Sequence, residues 1–189
     1  MLWPFNHFRK PRLAPPGTIE AIYGMIVTQA REPLFYQDLG VPDTVNGRFD
    51  LLLAHLWMVL RRLRRLGDGQ DIAQETAQAL FDHFCADMDA NLREMGVGDL
   101  AVPKRMQAFG EAFYGRSAAY DLALTDSREA LAQAFCKNIL EGRDIDNARR
   151  LAAYAQAAIA CLDSVDDAGL LAVSWTFPSP RSLAEQAHD

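Results

Sequence analysis

Apolar side chains recur along this chain at the three-to-four residue spacing of amphipathic helices, and nowhere with the strict alternation of a half-buried strand. The spacing predicts a first helix from about Thr18, as its N-cap, through Ile19, Ile22, Tyr23 and Ile26, stopping before Pro33. The stretch EPLFYQDLGVPDTVNG reads as a long ordered loop plugged by Phe35 and Tyr36. A second helix is expected over about Arg48 to Leu66, with Gly67 as its stop. Its stripe of Phe49, Leu52, Leu53, Leu56, Leu60 and Leu63 is accompanied by Leu51, Met58 and Val59 on the opposite side. Such a helix is either central in a bundle or covered by something else. A third helix, about Gln70 to Met95, is amphipathic through Leu80, Phe81, Phe84, Met88 and Leu92, with six acids against Arg93 on its outer face. Further helices are expected over about Lys104 to Leu124, Ser127 to Leu140 and Ile145 to Leu162, with Asp126 and Asp144 placed to start the last two. A short element at about 168–177 follows. The predicted fold is all-α: a single-domain bundle of about six to seven helices over residues 18–177, between an N-terminal arm (1–17) and a polar tail (178–189).

Composition narrows the class. Of 189 residues, 50% are hydrophobic and 23% charged, which disfavours disorder, collagen-like repeats and a disulfide scaffold. Six of the nine prolines lie at or before Pro42, two are Pro178 and Pro180, and only Pro103 interrupts the helix-permissive middle. Cys85, Cys136 and Cys161 form no CxxC pair and read as reduced thiols rather than a zinc site. The sequence MLWPFNHFRKPRLAPPG lacks the apolar run of a secretory signal, and the run Leu51 to Leu60 is too short to cross a bilayer. The expectation is a protein that touches a membrane without crossing it.

Net charge of -6 gives no global attraction to nucleic acid, and DNA is not an expected partner. The charge is uneven, however: residues 1–66 carry nine bases and five acids, and the remainder is strongly acidic. Trp3, Phe5 and Phe8 stand beside Arg9, Lys10 and Arg12, a combination that suits an anionic membrane surface or an arm folded back on the body. Arg61, Arg62, Arg64 and Arg65 crowd one helix end, where mutual repulsion implies that anions meet them: the acidic third helix, lipid headgroups, or RNA phosphates. RNA binding is the weakest of these, because no RNA-binding motif accompanies the arginines.

Catalytic signatures are missing. Gly96-Val97-Gly98 lacks the third glycine and preceding strand of a dinucleotide site, and there is no Walker A, HExxH, GxSxG or paired Glu-x-x-His sequence. His83 and Asp87 share a helix face and can orient each other, as a surface contact more readily than as a catalytic dyad. His55, set among leucines, is either a core histidine bonded to a carbonyl or carboxylate, or a polar contact at a partner or haem-related site. Asp50 stands near the start of the same helix, where the helix dipole favours an acid. Met58, Met88, Met95 and Met106 suit either core filling or adaptable contacts.

The segments VPDTVNGRFDLLLAHLWMVLRRLR (Val41 to Arg64) and LFDHFCADMDANLREMGVGDLAVPKRMQAFGEAFYGR (Leu80 to Arg116) closely resemble the ubiquinol-cytochrome c chaperone family, assembly factors of the cytochrome bc1 complex. The likeness covers roughly Thr18 to Phe177. It implies a non-catalytic chaperone without a cofactor, binding newly made cytochrome b, usually with a small partner protein and, in mitochondrial relatives, near the ribosomal exit on the matrix side of the inner membrane. With no presequence rich in Arg and Ser, the expectation is a bacterial member at the cytoplasmic face of the inner membrane. The resemblance marks Asp50, His55, Arg61, Arg62, Lys104, Phe109, Tyr114 and Arg116 as candidates for client or partner contact. A helical haem or small-molecule binder is the alternative from another class, its groove lined by Phe, Met and one His.

Overall fold

A computed structural model describes residues 17–65 and 71–181, and among these every regular element is helical. Six helices of eleven or more residues form the body: α1 (Thr18–Ala30), α3 (Val45–Arg64), α4 (Asp71–Glu94), α5 (Val102–Asp126), α6 (Arg128–Asn138) and α7 (Ile145–Ser164). Two short ones, α2 (Leu34–Gln37) and α8 (Asp167–Leu171), punctuate the connections. The membrane-surface candidates Trp3, Phe5, Phe8, Arg9, Lys10 and Arg12, the expected stop at Gly67 and most of the polar tail lie outside the described residues.

Capping chemistry fixes the ends, with some shifts from expectation. Gly17, left-handed at φ 84°, occupies the N-cap of α1, so Thr18 is helical and buried and its hydroxyl turns to the carbonyl of Leu171 at 3.4 Å. The helix α3 starts three residues earlier than the apolar stripe indicates, because Thr44 accepts a hydrogen bond from the Gly47 amide. Ser127, not Asp126, caps α6 by accepting from Ala130. Asp144 caps α7 as expected, accepting from Asn147 at 2.9 Å.

The doubly apolar helix is the centre of the molecule. From Leu51 to Leu63 every residue of α3 except Leu52 and Arg61 is buried, and α1, α4, α5 and α7 all pack on it. The apolar side chains on both faces of this helix are therefore buried by its neighbours, which makes it the central helix of the two alternatives. Phe35, from the proline-rich loop, is fully buried against His55 and Tyr154, so that loop acts as a lid on the core. After α8 the chain runs without regular structure, and Trp175 and Phe177 close the same cluster, with Phe177 edge-on to His55 at 5.2 Å.

Candidate functional site

The candidate residues separate into three groups. The first is structural. His55 is fully buried with both ring nitrogens engaged, Nδ1 at 2.8 Å from the Leu51 carbonyl and Nε2 at 2.9 Å from the Tyr154 hydroxyl. Burial pushes its pKa down to about 4, opposed by the backbone bond, so the ring is neutral at physiological pH. With both ring nitrogens engaged inside the core, it takes the core-histidine form of the two expected. Desolvation also raises the Tyr154 hydroxyl well above its ordinary value.

The arginine run forms the second group, in which Arg62 is buried and Arg61 partly buried while Arg64 and Arg65 are exposed. Arg62 Nε donates to the Leu162 carbonyl at 3.0 Å, and Nη2 donates to Val165 O at 2.7 Å and to Asp167 Oδ1 at 3.1 Å. Arg61 lies 3.6 Å from Asp121, and Arg65 bonds Asp163 at 3.1 Å. Among the described residues the anions that meet these cations come from α5, α7 and the α8 region. Only Arg64 of the four is exposed without an ion pair among the described residues. Asp121 also accepts from Trp57 Nε1 at 2.9 Å, tying the run to the core.

The third group converges on the side of the bundle made by α3, α4 and α5. Asp50 bonds Arg116 Nη2 at 2.7 Å, a half-buried bridge between α3 and α5. Burial drives the Asp50 pKa up to about 6, against the pull of Arg116 and with a further push from Glu141. Beside it Arg116 Nε, Ser117 Oγ and the Tyr120 hydroxyl are buried without a hydrogen-bond partner. Phe109 stacks on Phe49 at 4.6 Å, and Tyr114 leans on Phe81 and Phe113 at 5.6 and 5.5 Å while remaining 57% exposed. Lys104 is exposed in the first turn of α5. Leu122, two turns beyond Tyr114 and 73% exposed, was not a sequence candidate. Its signal was present: it falls out of phase with the buried Phe113, Tyr120 and Ala123.

Between α5 and α6 lies an open groove of about 530 Å³, floored by Ala112, Gly115 and Ala119 and rimmed by Arg116 and Lys137. The His83–Asp87 pair does not form as expected. Asp87 instead accepts from Tyr23 of α1 at 2.7 Å, and His83 meets the edge of the Tyr23 ring. Among the described residues no cluster of acids, histidines and cysteines is arranged to hold a metal ion, and no helix is long and apolar enough to cross a membrane.

Residues 37–177 match the family model described as ubiquinol-cytochrome C chaperone, about three quarters of the chain. The chain belongs to the ubiquinol-cytochrome c chaperone family. Its relatives include ubiquinol-cytochrome-c reductase complex assembly factor 1 of Xenopus laevis, 26% identical over 141 residues, covering 72% of this chain and 68% of that protein. The Homo sapiens protein of the same description is 27% identical over 146 residues, covering 75% of this chain. The match spans only 48% of the human chain, so this family member corresponds to about half of that relative. The crystal structure of the Cbp3 homolog from Brucella abortus superposes with a TM-score of 0.80 at 35% identity, covering 89% of this chain and 92% of that one. The all-α bundle is thus shared with that homolog, and all three groups of residues lie within the span matched by the family model.

Proposed function

We propose that this family member is a non-catalytic assembly chaperone that holds newly made cytochrome b at the cytoplasmic face of the inner membrane and promotes its incorporation into ubiquinol-cytochrome c reductase, with a small partner protein as a further candidate ligand. The observation that carries the reading is the family match over residues 37–177, backed by likeness to the Cbp3 homolog along nearly the whole chain. The side presented by α5 is the client surface in this reading. There the exposed Tyr114 and Leu122 offer apolar area, with Phe109 and Phe81 behind them and the Asp50–Arg116 bridge holding α5 on α3. Arg61, Arg62 and His55 act by keeping the scaffold rigid.

Deleting the gene is expected to abolish assembled ubiquinol-cytochrome c reductase while cytochrome b transcript persists. Affinity capture of the chaperone is expected to recover unassembled cytochrome b. Substituting Tyr114→Ser together with Leu122→Ser removes two apolar side chains from the contact and should cut that recovery about tenfold or more without lowering thermal stability. Normal reductase levels in the deletion strain would refute the assignment, and full cytochrome b recovery by the double variant would refute the surface.

A further inference from the structure

Two glycines stand inside α5, Gly110 and Gly115, and packing explains neither: an added Cβ would meet nothing within 4 Å at either position. Neither has the positive φ that disfavours other residues. Glycine in a helix interior loosens the backbone relative to alanine, so what these positions supply is pliability. The N-terminal end of the helix is also weakly fastened. Ala101 holds the N-cap without a side-chain hydrogen bond, and the first turn carries Lys104 and Arg105 with no acid, against the helix dipole. Of residues 102–116, only Val102 and Phe113 are buried. The link before them, residues 95–101, is exposed at every position but Val97, and its tie to α4 through Arg93 and Asp99 is a surface pair of the weak kind.

The rest of α5 is anchored. Tyr120 is fully buried, edge-on to Trp57 of α3 at 5.2 Å and to Phe135 of α6 at 4.8 Å. Asp121 accepts from Trp57, and Arg116 closes on Asp50. Gly115 stands immediately before this anchored half. What the loose half covers is aromatic: Phe109 lies on Phe49 at 4.6 Å, and Phe113 on Phe81 and Phe84 at 5.0 and 6.5 Å. Phe84 in turn meets Phe49 and Phe81 at 6.4 and 5.9 Å, so with Tyr114 six rings from α3, α4 and α5 form one continuous cluster. Among the described residues no side-chain hydrogen bond or ion pair ties residues 102–114 to α3 or α4, so apolar contact alone holds this half down. A segment with few buried residues and no polar fastening is drawn from the low-stability end of a fold.

We propose that the N-terminal half of α5, residues 102–114, is a lid that swings on Gly115 and uncovers Phe49, Phe81 and Phe84 for an apolar helix of the client. This rests on the chaperone reading and enlarges its client surface, of which Tyr114 is the edge exposed while the lid is shut. The lid itself shows what the uncovered surface takes: it presents Phe109 and Phe113, one turn apart, so a helix with large apolar side chains at that spacing fits. Hydrogen–deuterium exchange on the full chain without client should find residues 102–114 exchanging about tenfold or more faster than α3 and α7. Gly110→Ala with Gly115→Ala should slow that exchange about tenfold and raise the melting temperature. Residues 102–114 as protected as α3 in the wild type would overturn the lid. The same double variant should recover about tenfold less cytochrome b despite its greater stability, a combination that lost folding cannot produce. Since Gly115 also lines the groove between α5 and α6, Gly110→Ala alone, away from that groove, should lower recovery about fivefold. Undiminished recovery by variants whose exchange has slowed would overturn the lid and leave the assembly role standing. Wild-type protein that captures no cytochrome b would instead refute the chaperone assignment, and the client role of the lid with it.

Discussion

Arg62 illustrates how one buried cation can organise a helix end. Its guanidinium satisfies the carbonyls of Leu162 and Val165 where α7 finishes, and it also pairs with Asp167. Replacing it with alanine strips donors from partly buried carbonyls and frees an acid, which should cost about 2–4 kcal/mol in urea denaturation. Lysine should not rescue the loss, since a point charge cannot reach three acceptors in the planar geometry of the fork. Two other residues set the response to pH. The neutral His55 contributes stability that is complete above pH 6.5 and is lost as pH falls toward about 4, because only the unfolded chain then takes up the proton. Asp50 has the opposite sign: with its pKa raised to about 6, the folded state binds a proton more tightly, so stability is gained as pH falls from about 6 toward its ordinary value. Asp50→Asn removes the compensating effect, and its unfolding free energy should fall more steeply than wild type between pH 6 and 4.

Among the elements, α3 shows how far periodicity carries. Apolar residues on both of its faces leave a central position and an externally covered one equally compatible with sequence, and the structure resolves this in favour of the centre by packing helices α1, α4, α5 and α7 around it. The long helices and the Asp144 cap were legible because each is encoded within a few residues. The partners of Arg61, Arg62 and His55 were not, since they arrive from Asp121, Leu162 and Tyr154, far along the chain, and no local spacing announces them. The bond from Tyr23 of α1 to Asp87 is likewise non-local, and the spacing that puts His83 and Asp87 on one helix face does not announce it. Of the candidate contact residues, Asp50 and Arg116 meet directly, while Phe109 and Tyr114 pack on Phe49 and on Phe81 and Phe113, and Leu122 becomes a candidate only once exposure is known. The start of α3 also depends on a close approach at Gly47, where an added Cβ would lie 2.1 Å from the Pro42 carbonyl oxygen. Gly47→Ala should therefore destabilise the protein by about 2 kcal/mol or more in thermal denaturation. Gly24→Ala, on the open face of α1, meets nothing within 4 Å and should stabilise it by up to about 1 kcal/mol.

At the scale of the whole molecule, the basic front and acidic back read from the sequence are partly joined inside the fold, where the arginines of α3 meet aspartates from residues 121–167. High salt should consequently loosen exposed pairs such as Arg65–Asp163 while leaving the buried Arg62 contacts largely intact. The bond between His55 and Tyr154 joins positions 99 residues apart. A ribosome adding about 5–20 residues per second needs roughly 5–20 s to cover that interval. During translation the greasiest segment of this chain therefore waits, bare, for its own α7. A protein that shelters others during assembly begins life needing shelter itself.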